Sequence, residues 1–301
     1  MGQYLVFDWG GTFMKYALMN DKAEVISKGK IPSVKKDDNK ENFYHVLDEV
    51  VNQYDAIDGI AISSAGVIDS SLGLIHTIGI FPFLNEVNLS EELSERYHTK
   101  VTIENDGKCA ALSEVWLGNL KDVDDGAVII IGTSIGGALI LDHKLRRGKK
   151  FFAGEFCSMC INVDAVDKVE SYVGQKCCTP YLCSLIQEKL NLEDNIDGET
   201  AFQYLNDGNV LALEALKDFT DGLAMFLFDI YVPLDLEKIL IGGGISEQPI
   251  LMDYLKQSIL DLKNKHHDLK QGIEYPLPKI DVCKFHNDAN LIGALYHFLY
   301  E

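Results

Sequence analysis

The chain has 301 residues, with 27 basic against 46 acidic side chains and a formal net charge of −19. This length is enough for two domains that each bury a core. So negative a chain repels nucleic acids and anionic membrane surfaces unless its basic residues cluster, and no tight cluster appears along the sequence. The densest basic stretch, KLRRGKK (144–150), indicates a solvated loop or, less often, a loop that faces phosphate. We therefore expect neither a nucleic-acid partner nor a membrane partner.

The start of the chain, MGQYLVFD, lacks the basic and apolar regions of a signal peptide. No apolar run approaches the length of a membrane span. The chain has seven cysteines, among them the adjacent Cys177 and Cys178, and this odd number does not resemble the disulfide framework of a secreted protein. We expect free thiols and a cytoplasmic protein.

Apolar patterns along the chain predict alternating strands and helices. Strands are predicted, in chain order, at YLVFD, FMKYALM, GIAISSAG, KVTIEN, AVIIIGT and KILIGG. Helices are predicted at KENFYHVLDEVVNQY, at GKCAALSEVWLG and in the long apolar stretch from Val210 onward. In the first of these, apolar residues recur at three- and four-residue steps and share one face. The pattern is typical of an α/β fold in which helices pack on sheets.

Two glycine hairpins, at Gly11 and Gly137, share one pattern. YLVFDWGGTFMKYALMNDKAEV and AVIIIGTSIGGALILDHKL both predict a strand, a glycine loop, an apolar strand, a polar turn and a strand. The repetition indicates two related domains, although two glycine turns also arise by chance in α/β proteins. Backbone N–H groups at such turns can cradle phosphate without basic side chains. The chain lacks GxxxxGK[ST], and GTSIGG enters a strand instead of opening a helix, so a P-loop and a Rossmann site are excluded.

Seven motifs succeed one another along the chain, and their order and spacing resemble those of the ROK family of sugar kinases and repressors. They are DWGGT (8–12), ISSAGVID (62–69), ENDGKCAALSEVWLG (104–118), IGTSIGGAL (131–139), AGEF (153–156), ILIGGGIS (239–246) and NDANLIGAL (287–295). The resemblance covers nearly the whole chain. It implies an α/β fold of two actin-like (ribonuclease H-like) domains around a central cleft. The smaller, N-terminal domain would comprise residues 1–113 and 288–301, and the larger domain residues 114–287.

The resemblance also implies a role for each residue that matches a motif. Asp8 would hold magnesium through water, and Asp106 would be the general base that takes a proton from a sugar hydroxyl. On local sequence alone, DWGGT is equally a tight turn with an Asx hydrogen bond, and Asp106 more commonly a helix N-cap. The implied sugar-binding residues are Gly66, Asn85, Asn105, Asp106, Glu155 and Glu170, and the implied ATP- or phosphate-binding residues are Asp8, Gly10, Gly11, Thr12, Gly132, Thr133, Gly136, Gly137, Gly242, Gly243 and Gly244.

The chain departs from the family at the segment where many members bind zinc. Ser158 stands where those members have part of a GH motif, and the later segment INVDAVDKVESYVG contains no cysteine. We therefore expect no zinc site. The alternative is a rebuilt site, because CSMC (157–160) and three later cysteines approximate a two-pair ligand spacing. Free cysteines are more often small buried apolar residues than ligands.

Together these features predict an ATP- and magnesium-dependent kinase that phosphorylates the 6-hydroxyl of a hexose or hexoside. Without the family's histidine, the anomeric end of the sugar is less crowded unless Tyr172 or Gln175 fills the space. This favours a β-glucoside, with N-acetylmannosamine or glucose as the alternative substrate. A repressor of the same family needs a helix-turn-helix, for which residues 1–3 leave no room, and intact Asp8 and Asp106 disfavour a sugar sensor without kinase activity. Because family members are commonly dimers, the resemblance implies a homodimer.

Overall fold

The structure, a computed structural model, describes residues 2–267 and 277–301. The chain forms two compact units. Unit 1 comprises Met1–Lys121, Leu145–Ala153 and Asn287–Glu301, and unit 2 comprises Asp122–Lys144 and Gly154–His286. The short segment Leu145–Ala153 therefore belongs to unit 1, although both of its neighbours in the chain belong to unit 2.

Strands and helices alternate through most of the described chain. The strands are β1 (Gln3–Trp9), β2 (Phe13–Asn20), β3 (Val25–Pro32), β4 (Gly59–Ser64), β5 (Val67–Asp69), β6 (Leu74–Thr77), β7 (Val87–Asn88), β8 (Val101–Asn105), β9 (Gly126–Ile131), β10 (Ile135–Leu141), β11 (Lys144–Leu145), β12 (Lys238–Gly242) and β13 (Lys279–Val282). The helices are α1 (Lys40–Val51), α2 (Leu89–Tyr97), α3 (Asp106–Leu117), α4 (Val173–Lys176), α5 (Thr179–Leu190), α6 (Gly198–Asn206), α7 (Val210–Leu234), α8 (Pro249–Lys265) and α9 (Ala289–Tyr300). The six strands and three helices predicted from the apolar patterns are confirmed.

Both units contain a five-stranded sheet with the same kind of strand order. The sheet of unit 1 has the order β3-β2-β1-β4-β8, and the second sheet has the order β11-β10-β9-β12-β13. In each sheet an antiparallel hairpin, β1–β2 or β9–β10, continues into strands that run parallel to its first strand. The α/β fold is confirmed, and the two glycine hairpins occupy equivalent places in two related sheets.

The core of unit 1 lies between the sheet and α1. The odd-numbered apolar residues of β1, including Leu5 and Phe7, are buried with Phe43 and Leu47 from the predicted face of α1. Asn39 caps α1 by accepting a hydrogen bond from the backbone of Asn42. The period of two along β1 sends Val6 and Asp8 to the opposite face of the sheet.

Helices α3 and α9 cross very closely at one glycine. A Cβ built on Gly293 would lie 1.7 Å from the carbonyl oxygen of Cys109, so only glycine allows this approach. The crossing fixes α9 next to the helix that begins at Asp106. In unit 2, α7 forms the centre of a separate core that includes Phe219, Leu223 and Phe226. None of the described helices has both the length and the apolar character required to cross a membrane.

Candidate active site

The functional candidates of unit 1 lie where its parallel strands end. Strand register places Asp8 of β1 beside Ser63 of β4, and Ser63 beside Glu104 of β8. Asn105 ends β8 and Asp106 begins α3. Parallel strands end at one edge of a sheet, and α/β proteins bind ligands at that edge. The sequence motifs DWGGT and ENDGK are thereby brought to the same edge.

Asp8 is held in place by donors on both sides. The residue as a whole is only 9% exposed. Its Oδ1 accepts hydrogen bonds from Ser63 Oγ at 3.2 Å and Asn290 Nδ2 at 3.0 Å, while Oδ2 lies 3.6 Å from Lys15 Nζ. Oδ2 is therefore the oxygen that meets a cation, and carboxylate oxygens suit magnesium, directly or through water. The residue fits the predicted magnesium role, which stays a prediction.

The turn after Asp8 is built by glycine and by a serine just beyond the end of β3. Gly10 N donates to Phe13 O at 3.1 Å, and a Cβ on Gly10 would lie only 2.9 Å from that oxygen. Ser33 closes the other side, since its Oγ donates to Gly10 O at 2.6 Å and its N donates to Thr12 O at 3.0 Å. Gly11 and Thr12 are exposed at the tip. Such a tip suits contact with phosphate oxygens.

Asn105, and not Asp106, caps helix α3. Its Oδ1 accepts a hydrogen bond from Lys108 N at 3.1 Å, and its Nδ2 donates to Gly66 O at 2.9 Å. The amide keeps one N–H and one lone pair for a sugar hydroxyl. Asp106 is the first helical residue, is half-buried, and accepts a hydrogen bond from Gly107 N at 2.8 Å. The N-cap role that local sequence favours for Asp106 therefore falls on its neighbour.

A fully buried carboxylate precedes these two residues. Glu104 is 0% exposed; its Oε1 accepts from Asn105 N at 2.8 Å and its Oε2 from Arg147 Nε at 2.7 Å. Arg147 also pairs with Glu301. Burial alone would lower the pKa of Arg147, but the two carboxylates outweigh it and raise that pKa. Arg147 is therefore an exception to the solvated-loop interpretation of KLRRGKK, because it stabilises a buried charge, whereas Lys144, Arg146, Lys149 and Lys150 are exposed.

Among the residues that the structure describes, one group of acidic and histidine side chains has spacing suited to a metal ion: Glu104, His297 and Glu301. The guanidinium of Arg147 already pairs with both carboxylates of this group. Its positive charge supplies what a metal ion would supply there, so this group does not fit a metal site.

Two implied sugar-binding residues of unit 1 have clear structural roles. Gly66 has φ of +115°, and a Cβ there would lie 2.4 Å from Thr77 O, so the position requires glycine. Asn85 is exposed, and its Oδ1 accepts a hydrogen bond from Ile78 N at 2.7 Å. Their contacts with sugar stay predictions.

Unit 2 contains a cavity of about 450 Å³, a size typical of small-ligand sites. Gly132, Thr133 and Gly244, all among the predicted ATP- or phosphate-binding residues, line it, as do the first residues of two helices, Thr179 of α5 and Gly198 of α6. Helix N-termini attract phosphate groups. The remaining lining residues are Ile131, Pro180, Cys183, Ile196, Asp197 and Ile245. This mixture of polar and apolar lining residues is compatible with a nucleotide.

The helix residues of this cavity were missed by the motif analysis. Each is marked in the sequence only by residues typical of a helix start. Proline follows Thr179 at the start of α5, and Asp197 caps α6 by accepting a hydrogen bond from Thr200 N at 2.9 Å. This hydrogen bonding to Thr200 lowers the pKa of Asp197. Such caps predict where helices begin, but not that two of them meet at one cavity.

Three of the other predicted glycines of unit 2, Gly137, Gly242 and Gly243, are required by close packing. A Cβ on Gly137 would lie 2.3 Å from Val128 O, and one on Gly242 would lie 2.6 Å from the side chain of Ile130. Gly243 has φ of +94°, and its Cβ would lie 2.1 Å from Ile131 O. Gly136 lies within β10. Phosphate contacts by these residues stay predictions.

Glu155 and Glu170 lie in segments that pair with each other in unit 2. Ile161 N donates to Ser171 O at 2.8 Å, and Val173 N donates to Met159 O at 2.9 Å. Glu155 is half-buried at the start of a short turn of 3₁₀ helix, whereas Glu170 is exposed. The backbone just after AGEF therefore pairs with the backbone just after Glu170, and the sugar-binding roles of the two glutamates stay predictions.

The cysteines of unit 2 are free thiols in a largely apolar setting. Burial raises the pKa of Cys177 to about 12 and also raises the pKa of Cys178 and Cys183. Exposed Cys160 donates to Asn162 O at 3.3 Å. The buried thiols are small core residues, as free cysteines usually are.

The fold and these strand-end residues define a protein of the actin-like ATPase class. The chain is 30% identical to the beta-glucoside kinase of Listeria monocytogenes over 98% of this chain and 97% of the relative. It is also 30% identical to the beta-glucoside kinase of Klebsiella pneumoniae, over 97% and 94%. A ROK family protein from Streptococcus pneumoniae, crystallised in complex with sucrose, matches with a TM-score of 0.86 and 30% identity over 99% and 98% of the two chains.

Residues 4–300 match the ROK family. The chain therefore belongs to this family, and among its members it is a sugar kinase.

Proposed function

We propose that the protein transfers the γ-phosphate of ATP to the 6-hydroxyl of a β-glucoside. The observation that carries this proposal is the edge of the unit 1 sheet, where Asp8 and Asp106 lie at the ends of parallel strands. One carboxylate suits a metal ion beside phosphate, and the other suits proton transfer. Kinases need both, because phosphoryl transfer depends on charge neutralisation and on an oriented nucleophile.

In this mechanism Asp106 accepts the proton of the 6-hydroxyl as the oxygen attacks the γ-phosphorus, whose bond to the β–γ bridging oxygen breaks so that ADP leaves. The N-terminus of α3 stabilises the ionised carboxylate before the reaction. Asn105 orients ring hydroxyls with the N–H and lone pair that its capping bonds leave over. When bound at Asp8, magnesium neutralises charge on the phosphates. We propose phosphate contacts for the glycine turn at Gly10–Thr12 of unit 1 and, separately, ATP contacts for the loops that line the unit 2 cavity.

Two features support a sugar that carries a substituent on its anomeric carbon. Ser158 and the cysteine-free segment after it lack the histidine and metal loop of many family members, which leaves that end of the sugar less crowded. Sucrose, present in the similar Streptococcus pneumoniae structure, is a disaccharide with a substituted anomeric carbon. A site that does not hydrogen-bond the anomeric hydroxyl gains nothing from free glucose. We further propose a cytoplasmic homodimer without zinc, with sugar contacts from Gly66, Asn85, Glu155 and Glu170.

A coupled assay with ATP and magnesium tests the proposal on a panel that includes cellobiose, other β-glucosides, glucose and N-acetylmannosamine. We expect kcat/KM to be higher for a β-glucoside than for glucose. Metal analysis of the purified protein should find no stoichiometric zinc. A clear preference for glucose, or tightly bound zinc, would contradict the substrate assignment, and no turnover of any sugar would contradict the kinase.

A further inference from the structure

Three lysines surround a second cavity, in unit 1. This cavity of about 400 Å³ is lined by Lys15 of β2, by Lys28 and Lys30 of β3, and by Asn287, Asp288 and Leu291 at the start of α9. The lining carries three ammonium groups and one carboxylate, in a chain whose net charge is −19. The pairing of β2 with β3 thus adds Lys15 to Lys28 and Lys30, which are already close in the sequence.

The strand register puts the lysines on one face of the sheet. Lys15 lies directly opposite Lys30 in the antiparallel pair, and Lys28 lies opposite Ala17, two residues along. Directly opposed like charges destabilise a sheet unless an opposite charge compensates them. Lys15 is also paired with Asp8 on β1, so the row of ammonium groups begins beside that carboxylate.

The charges already present in the cavity compensate this row only in part. Asp8 Oδ2 lies 3.6 Å from Lys15 Nζ, and Asp288 Oδ2 lies 3.5 Å from Lys28 Nζ. Lys30 Nζ lies 4.7 Å from the centre of the Phe13 ring, and no carboxylate of the described residues pairs with it. The N-terminus of α9 adds further positive potential, and Asp288 makes no side-chain capping bond there.

We propose that this basic cavity, formed by Lys15, Lys28, Lys30 and the start of α9, binds phosphate groups. The cavity volume is large enough for a phosphate ester. Ammonium groups on two neighbouring strands can donate to several phosphate oxygens at once, and these charge-assisted bonds are strong. The phosphate comes either from a separate phosphate ester or from the phosphate chain of the nucleotide. Only binding of the nucleotide's phosphate chain rests on the proposed function, because that function uses Asp8 as the magnesium ligand.

The test measures binding of pyrophosphate to the full chain by calorimetry at constant ionic strength, without magnesium. The double variant Lys28→Gln, Lys30→Gln should weaken binding by at least about tenfold, because two charged donors are lost. Lys22→Gln, an exposed lysine in the turn of the same hairpin and outside the cavity, should leave affinity unchanged. Without pyrophosphate, the double variant should melt close to the wild-type temperature, because relief of the repulsion from Lys15 offsets the loss of the exposed Lys28–Asp288 pair.

Unchanged affinity in the double variant would overturn the proposal. The lysines would then only protect the edge strand β3 from pairing with other chains, as lysines on sheet edges do. Saturation with a non-hydrolysable ATP analogue separates the two sources. Lysine-dependent binding that persists indicates a separate phosphate ester, and binding that is blocked indicates the nucleotide. Asp106→Asn should keep the pyrophosphate affinity, so failure of the proposed kinase chemistry and failure of this site are distinguishable.

Discussion

The two five-stranded sheets share a strand order but differ in the residues at the ends of their strands. In unit 1, β1 and β8 end in side chains that carry chemistry, with Asp8 on the first and Asn105 followed by Asp106 on the second. In unit 2, β9 and β12 lead into Gly132 and Gly243, which offer only backbone. Carboxylates suit a metal ion and proton transfer, whereas glycines let backbone N–H groups approach phosphate.

The difference shows that the strand order determines where a site can form, whereas the residue types at the strand ends determine which chemical groups are present there. Buried strands such as β1 and β9 are both continuous apolar runs, and exchanging apolar residues there changes packing. At the strand end, we expect the choice between aspartate and glycine to decide what the unit can bind. Four predictions test this division, in order of decreasing expected effect.

Removing the proton acceptor of unit 1 should have the largest effect. Asp106→Asn should lower kcat by about two to four orders of magnitude, the range for loss of a positioned general base. The fold should persist, because Asn105 and not Asp106 caps α3. Steady-state kinetics, with calorimetry of sugar binding and a melting curve as controls, checks this. Near-normal turnover would exclude Asp106 as the base.

The next largest effect should be on stability, when the cation that pairs with buried Glu104 is removed. Arg147→Met should reduce the free energy of unfolding by about 3 kcal/mol, because it leaves a fully buried carboxylate uncompensated. Adding Glu104→Gln should recover part of the loss. Urea denaturation of the two single variants and the double variant gives the coupling energy. A coupling energy near zero would show that the pair does not stabilise unit 1.

In unit 2, the equivalent sensitivity lies in a glycine. Gly243→Ala should cost roughly 1–3 kcal/mol for its positive φ, with an added cost from the contact of the new Cβ with Ile131 O. Gly244→Ala is the matched control, because a Cβ there meets no atom within 4 Å. Thermal unfolding compares the two variants. Equal losses in both would mean that the backbone shape after β12 is not the reason for glycine.

The smallest effect concerns charges away from the strand ends, between α1 and α2 of unit 1. Hydrogen bonds from Arg96 lower the pKa of Asp48. Partial burial of Asp48 acts in the opposite direction, and a hydrogen bond from Tyr97 lowers the pKa further. Ionised Asp48 therefore stabilises the fold above the ordinary aspartate pKa near 4, and this stabilisation is lost as the pH falls through the lowered value.

Asp48→Asn should accordingly cost about 1 kcal/mol or less at pH 7, and the difference from wild type should shrink in acid. Unfolding curves at neutral pH and well below pH 4 check the sign. Exposed Asp55→Asn serves as a control with no expected change. A difference that grows in acid would contradict the lowered pKa.

Much of the fold could be predicted from local pattern. The strands YLVFD and AVIIIGT are long apolar runs between turn residues, and α1 has a clear apolar face, so each was predictable from period and composition. The helices α4 to α6 were not predicted: α4 is a single turn, α5 mixes cysteine and polar residues with its apolar ones, and α6 buries Ala201, Phe202 and Leu205 but is only nine residues long. They are stabilised by packing on α7 instead of by their own pattern.

The candidate site shows the same limit. Motif order identified Asp8, Asp106 and the glycine loops, because chemistry restricts the residue types at those positions. It could not identify Ser63 and Asn290 as the donors that hold Asp8, since they are distant in sequence. Nor could it place Thr179 and Gly198 at one cavity.

The sequence by itself determined the α/β class, the repeated glycine hairpin and the residue types at the strand ends, because these depend on neighbours within a few residues. Only the tertiary structure decided the partner of buried Glu104, the assembly of Lys15, Lys28 and Lys30 around one cavity, and the exchange of the capping role from Asp106 to Asn105. Strand register and helix crossing bring distant residues together, and side-chain charges interact over these short distances in space, whatever their separation along the chain.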